Sequence, residues 1–526
     1  MPHSKRKKLI FAESFAGCGG MSLGLKSAGF ELVFANELSP MAAATYFANL
    51  LGEPLRLPGF GGPGWIDIRH KEGQRRPVNY DPRDHLEDPI NREIYGEICA
   101  EEIRDRLFVG DLGGLNEALG RKRQKLGPDL FDLDLLAGGP PCQSFSMAGK
   151  RERENERNKL PMDFVRCAKR LKPRIVLLEN VIGILRPFTN PQGQKEEAWI
   201  NIAQEFWKAG YIPVCLRVTA SDVGVPQRRS RFLLIAINRD LEDKVWSICR
   251  SSPRAFGPLV EPLSNARESL GAQRSSKNRK RLMCHPVERG DRLFELLFPL
   301  DKEVRERKLP FTAREAIDDL RESISEPDNA YIEMLQRVFS QLRRGENTGG
   351  PSNQEYRSHR TKTKLRFRIL RALSGAVNGG IDSAHLSSLD REQRDSLRRH
   401  PLILKSKGIP ELRNLNDRRL VDLLQEIASN KHSQRAMRGN APAPSQLTIP
   451  DDHVHYDEDR TLTVREIARL QSFPDWYKFE GKVTTGGKSR AFEVPQYTQV
   501  GNAVPPLLAR SVGKGIARIL RKLDAS

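Results

Sequence analysis

Cys142 lies in the run Ala137-Gly138-Gly139-Pro140-Pro141-Cys142-Gln143-Ser144. A glycine pair and two prolines lead into the thiol, and the apolar stretch Leu133 to Ala137 leads into them. That arrangement presents one sulfur on a stiff turn at the end of a strand. As a thiolate it is a nucleophile; an ordinary thiol, with a pKa of ~8.5, needs a helix terminus or a nearby cation to reach that form near neutral pH. A buried, inert cysteine is the commoner fate. The polar exit through Gln143 and Ser144 argues against it here. Cys18, Cys167 and Cys215 are expected as packing.

Three other runs could act beside that thiol. Glu179-Asn180-Val181 follows the apolar run Ile175 to Leu178. A carboxyl at the C-terminal edge of a parallel strand projects into the crevice where such sheets bind ligands. Partial burial would raise its pKa toward proton donation; a helix-capping Glu is the alternative. Gln227-Arg228-Arg229-Ser230-Arg231 precedes another apolar run. Alternation puts Arg229 and Arg231 on one face, able to hold a carbonyl oxygen and stabilise negative charge, or merely to solvate a strand edge. Phe15-Ala16-Gly17-Cys18-Gly19-Gly20 lies between a strand and a helix. Its glycines allow close backbone approach at a helix N-terminus, although G-x-G-x-x-G is absent. Glu37 ends the next strand, where an acid can accept both ribose hydroxyls of a nucleoside. A plain tight turn with a surface Glu stays open on these residues alone.

The elements that must position these groups alternate. Candidate strands are Leu9 to Phe15, Leu32 to Asn36, Leu133 to Ala137, Ile175 to Leu178, Val214 to Val218 and Phe232 to Ile237, with helical stretches such as Met21 to Ala28 and Asp163 to Leu171 between them. Near-continuous apolar strands predict a doubly wound, mostly parallel α/β sheet. Leu51 to Arg106, rich in Gly, Pro and charge, reads as an insertion. From about Ser251 the sheet-like runs vanish and basic clusters appear. One of these comprises Arg357, His359, Arg360, Lys362, Lys364, Arg366, Arg368 and Arg371.

The composition narrows the class. The net charge of +20, from 87 Lys and Arg against 67 Asp and Glu, favours a polyanionic partner. No apolar run approaches the ~20 residues that span a bilayer, and Met1 to Lys8 is not followed by the apolar core of a secretory signal. Seven scattered cysteines without C-x-x-C argue against disulfides or a zinc ribbon. No metal site is expected.

In their order of glycine loop, Pro-Cys, Glu-Asn-Val and Gln-Arg-x-x-Arg, the runs resemble the DNA (cytosine-5) methyltransferase family. Thr463 to Pro474 is similar to that family's ninth block and Gln499 to Pro506 to its tenth. The resemblance implies a Rossmann-like, class I S-adenosylmethionine-dependent methyltransferase fold. It implies a catalytic domain over 1–239, a smaller target-recognition region over 240–459, and a C-terminal segment over 460–526 that returns to the catalytic domain. It makes Cys142 the nucleophile toward cytosine carbon 6, Glu179 the group at ring nitrogen 3, and Arg231 the holder of the ring carbonyl with Arg229 in support. S-adenosylmethionine would lie against Phe15, Ala16, Gly17, Gly19 and Gly20, with Glu37 on the ribose and Asp111 on the adenine. Pro141, Leu160, Asn502 and Val504 would complete that pocket. Gln143, Ser144, Lys150, Arg151 and Gln227 would meet DNA, the loop Gln143 to Leu160 closing over a flipped base. The implied protein is a bacterial, cytoplasmic monomer on double-stranded DNA, with a restriction endonuclease as a functional rather than physical partner. The rivals are an RNA cytosine-5 methyltransferase of this fold and a catalytically silent DNA-binding protein. A nicotinamide oxidoreductase is disfavoured by the missing third glycine.

Overall fold

The computed structural model describes residues 8–51, 64–67, 106–122, 132–141, 160–189, 193, 195–271, 281–321, 329–343, 351–374, 385–399, 409–431, 434–487 and 493–526. Cys142, Gln143, Ser144, Lys150 and Arg151 lie outside the described residues.

The strands of the main sheet are β1 (Leu9–Ser14), β2 (Phe30–Glu37), β3 (Gly64–Asp67), β4 (Arg106–Val109), β5 (Leu135–Gly138), β6 (Ile175–Val181), β7 (Tyr211–Thr219), β8 (Ser230–Asn238) and β9 (Cys284–Pro286). Their order is β9-β7-β8-β6-β5-β1-β2-β4-β3. All neighbouring pairs are parallel except those made by β8, which runs antiparallel to β6 and β7. The strands at the centre are buried almost without interruption, as in β6, where only Val181 is exposed. Helices cover both faces in this kind of sheet.

The reversed β8 has a functional consequence. Its first residues lie at the same edge as the last residues of the parallel strands: Arg231 is opposite Val181 in register. Ser14, Glu37, Val109, Gly138, Glu179 and Arg231 therefore share the C-terminal edge of the sheet, where ligands bind in open α/β folds.

The helix Pro506–Asp524 lies against Gly20–Ser27. The contact is close enough that a Cβ on Gly24 would stand 2.5 Å from Ala509 Cβ and Pro506 O. The chain after β8 does not leave this core at 240. Val245, Ile248, Leu263, Phe294, Phe311 and Leu335 all belong to the same apolar cluster, and β9 joins the sheet beside β7. A separate, smaller core is built from Phe367, Leu370, Leu397, Leu412, Leu420 and Leu424, with Val454. The change of texture near Ser251 marks a switch from strands to helices, whereas the second core begins only around the helix Thr361–Ser374. Among the described residues no helix is long and apolar enough to cross a membrane.

Candidate active site

Glu179 and Arg231 form an ion pair at the strand edge, Oε1 to Nε 2.6 Å. The register explains the meeting. Glu179 faces Leu233 and Arg231 faces Val181, so the two are diagonal neighbours on one face of β6 and β8. Both are buried, 8% and 4% exposed. Burial raises the Glu179 pKa, and the charges of Arg231 and Arg229 only partly oppose it. Burial lowers that of Arg231, against the pull of Glu179. The carboxyl is thereby poised to hold a proton at a pH where an exposed glutamate has lost it.

The chain that leads to Cys142 is fixed against this pair. A Cβ on Gly138 would stand 2.7 Å from the Phe164 ring and 2.8 Å from Ser14 O, so no side chain fits there. A Cβ on Gly139 would stand 3.3 Å from Glu179 Oε2. Asn180 Nδ2 donates to Pro140 O at 2.8 Å. Pro141, half-buried, is the last described residue before the thiol.

Gln227 and Arg229 are both turned inward. Gln227 is fully buried: its Nε2 donates to Leu470 O (3.0 Å), and its Oε1 accepts from Gln446 N (2.9 Å). It ties this strand edge to Leu470 of the segment Thr463 to Pro474, so the sequence expectation of a DNA contact falls on a side chain that the fold buries. Arg229 donates through Nη1 to Gln446 O (2.9 Å) and through Nη2 to Gly501 O (2.7 Å). Its guanidinium is committed to two backbone carbonyls, so it acts on Glu179 only through its charge. Of the pair Arg229 and Arg231, only Arg231 lies within β8; Arg229 falls just before it, after Gln227–Arg228, which pairs with Ala443–Pro444.

At the other end of the edge the glycine loop is left-handed at Gly17 (φ 55) and Gly19 (φ 92), and also at Phe15 (φ 57). A Cβ on Gly19 would stand 2.5 Å from Leu50 Cδ1, and one on Gly20 would stand 2.3 Å from Val504 O. Val504 thus packs directly on the loop that Ala16 and Gly17 open. Nothing lies within 4 Å of the Cβ position of Gly17, so that side is free for a ligand. Glu37 accepts from Gly17 N (2.8 Å) and Ser39 N (2.7 Å), and burial raises its pKa. Asp111 follows β4, the strand beside β2, and accepts from Gly114 N at 2.7 Å. Asn36 Nδ2 locks the two strand ends together by donating to Phe108 O and Gly110 O. Glu37 and Asp111 therefore lie on adjacent strand ends despite the insertion between them. Asn502 is exposed at the end of the helix Gln496–Asn502. Sequence reading missed Leu38, which is 55% exposed next to Glu37; the signal was a bare apolar residue directly after a ligand-edge acid. A free loop face, an acid, an apolar side chain and an exposed amide suit a nucleoside cofactor.

Glu13 was also missed. It lies under the loop with its carboxylate accepting from Ser22 Oγ, which stands 2.7 Å from Tyr46 OH. Burial pushes its pKa up to about 8, the Ser22 hydrogen bond opposing and Glu37 adding. The folded protein therefore binds this proton more tightly than the unfolded chain. Its contribution to stability is fullest below the ordinary carboxyl pKa and is lost as pH rises toward about 8. Glu13→Gln is expected to abolish that part of the decline, a few kcal/mol between about pH 5 and 8. Denaturant midpoints of both proteins at pH 6 and pH 8 measure it; parallel declines refute it.

Burial raises the pKa of all five described cysteines, to about 12 for Cys167 and Cys284. None of these is a nucleophile near neutral pH. Among the described residues no group of three or more His, Cys, Asp or Glu is placed to hold a metal ion.

This edge, with a buried acid–arginine pair at one end and an open glycine loop suited to a nucleoside at the other, fits a group-transfer enzyme on a doubly wound sheet. The sequence profile of the C-5 cytosine-specific DNA methylase family matches residues 9–56 and 119–518. The chain belongs to that family and is a C-5 cytosine-specific DNA methyltransferase. Its relatives include the type II methyltransferase M.DdeI of Desulfomicrobium norvegicum, 26% identical over 96% of this chain and 87% of that protein. Another is the type II methyltransferase M.XorII of Xanthomonas oryzae, 25% identical over 98% and 85%. The structure of a protein described as an E. coli prophage DNA modification methyltransferase matches with a TM-score of 0.50. It is 19% identical, covers 98% of this chain and 99% of that one, and shows the shared fold. Asp111 lies in the stretch 57–118 that the family profile leaves unmatched.

Proposed function

We propose that the enzyme methylates a cytosine turned out of duplex DNA, with Cys142 as the transient nucleophile and S-adenosylmethionine as methyl donor. Attack at carbon 6 cannot occur within the stack, so the base must leave it. The Cys142 thiolate forms a bond to carbon 6 while Glu179 gives its proton to ring nitrogen 3, so no negative charge accumulates on the ring. Arg231 holds the ring carbonyl oxygen and keeps Glu179 in place. Carbon 5 of the resulting enamine becomes nucleophilic. The cofactor supplies an electrophilic methyl group there. Loss of the carbon 5 proton to a base then restores the ring double bond and expels the Cys142 thiolate. The observation that carries this reading is the Glu179–Arg231 pair, buried at the ligand edge and packed against Gly139, three residues before Cys142. The context of the type II relatives supports a short duplex recognition sequence and a companion restriction endonuclease. Sequencing of methylated cytosines in DNA from cells expressing the protein tests the reading and names the sequence; unmethylated DNA refutes it.

For the cofactor, the loop Phe15 to Gly20 would take the methionine part, Glu37 the ribose hydroxyls, and Asp111 the adenine amino group. Leu38, Pro141, Asn502 and Val504 would close the pocket. Glu37→Ala removes a charged acceptor for both ligand and loop, and S-adenosylmethionine Kd is expected to rise by roughly ten- to a hundredfold in calorimetry. An unchanged Kd would take Glu37 out of the site.

A further inference from the structure

The basic run Arg357 to Arg371, part of the positive charge that favours a polyanionic partner, is partly occupied by carboxylates of this chain. Asp459 forms ion pairs with Arg368 and, at 2.8 Å, with Arg371, both on the helix Thr361–Ser374 of the second core. Asp451 pairs with Arg357 at 2.5 Å and with Lys431. Asp457 turns the other way, to Arg321 at 2.9 Å, and Tyr456 OH donates to Asp318 Oδ1 at 2.5 Å. The segment ends at Arg460, which donates to both oxygens of the fully buried Glu466 at 2.8 and 2.7 Å, within the ninth block. Its middle is pinned by His455, whose Nδ1 accepts from Asp457 N (3.0 Å) and Glu458 N (3.1 Å). Burial and the neighbouring arginines lower the His455 pKa, so the ring stays neutral with its proton on Nε2.

Residues 451–460 thus form a strap. Asp459 grips the second core and Asp451 holds Arg357 and Lys431, which flank it in sequence, while Asp457, Tyr456 and Arg460 grip the first. The pairs at Asp459 are half-buried, so they are less screened than surface pairs and hold a defined geometry. One carboxylate shared by two arginines of one helix fixes that helix in rotation as well as position.

We infer that Asp459 is a positioning residue: through Arg368 and Arg371 it orients the second core relative to the catalytic sheet, so that DNA held by that core delivers its cytosine to the Glu179 edge. This rests on the reading of the second core as the part that recognises DNA. It also makes Arg357, Arg368 and Arg371 part of the frame, through their pairs with Asp451 and Asp459.

The test uses the full chain. Asp459→Asn is expected to raise the KM for DNA on the order of tenfold and to weaken discrimination against sites with one mismatched base pair. At the same time kcat at saturating DNA should stay within about twofold of wild type, and S-adenosylmethionine Kd should not move. Asp459→Glu should restore most of the loss. An unchanged KM overturns the inference, and so does a joint loss of kcat and cofactor affinity that Asp459→Glu does not rescue. If Asp459→Asn does not fold, Asp457→Asn cuts the strap at its other core and is read by the same split. Hydrogen exchange of the wild type separates the two readings. No protection of Thr361–Ser374 or Asp417–Ile427 on adding duplex DNA sinks the recognition role. Protection there with an unaltered Asp459→Asn sinks the strap alone.

Discussion

Cys142→Ser is expected to remove methyl transfer to below about a thousandth of the wild-type rate, a barrier increase of roughly 4 kcal/mol. Binding of S-adenosylmethionine and of DNA should survive. A serine hydroxyl differs from the thiol by one atom and fits the same space, but it is scarcely ionised and is a far weaker nucleophile toward carbon 6. Positioning cannot compensate, because the backbone before it is already fixed. Gly138 admits no side chain, Gly139 lies against Glu179 Oε2, and Asn180 holds the Pro140 carbonyl. The measurements are incorporation of labelled methyl into duplex DNA, with calorimetry for the cofactor, and capture on DNA containing 5-fluorocytosine. Fluorine at carbon 5 blocks the final elimination, so wild-type protein should stay covalently attached and the serine variant should not. Methyl transfer at the wild-type rate by Cys142→Ser would end the covalent mechanism.

The ligand edge was legible because its acids and glycines sit at the ends of apolar runs. Leu9 to Phe15, Ile175 to Leu178 and Phe232 to Ile237 read as buried strands, and each proved to be one. The strands β4 and β9 were not legible. Arg106–Val109 and Cys284–Pro286 are too short to show a period, and the sheet, not their own sequence, makes them strands. Pairing was equally hidden. Glu179 and Arg231 could each be placed on a strand end, but only the antiparallel register of β8 makes them neighbours. Gln227 and Arg229 look like a polar strand edge, yet Leu470, Gln446 and Gly501 supply buried carbonyls that draw them inward. The strap shows the same limit for charge. Arg368 and Asp459 are 91 positions apart, so a basic helix and an acidic loop each read as solvent-facing until the fold pairs them.

Glu179→Gln is expected to lower kcat by about 10²- to 10⁴-fold, the usual contribution of a positioned proton donor. The substitution preserves the volume and leaves Arg231 an oxygen at the Oε1 position, so the edge keeps its shape. What disappears is the proton for ring nitrogen 3. The pH dependence isolates that loss. Burial holds the Glu179 pKa above its ordinary value despite Arg231 and Arg229. The donating form is therefore the protonated one, and kcat should fall as pH rises through that raised value. The Cys142 thiol works in the opposite sense, since its reactive form gains as pH rises. Wild-type kcat should trace a bell whose descending limb belongs to Glu179. In Glu179→Gln the rate should be low throughout and should climb with pH without turning over. Single-turnover methylation on duplex DNA between about pH 5.5 and 9.5 measures both limbs. A descending limb retained in the glutamine variant would assign that proton to another group and leave Glu179 as no more than a counterion for Arg231.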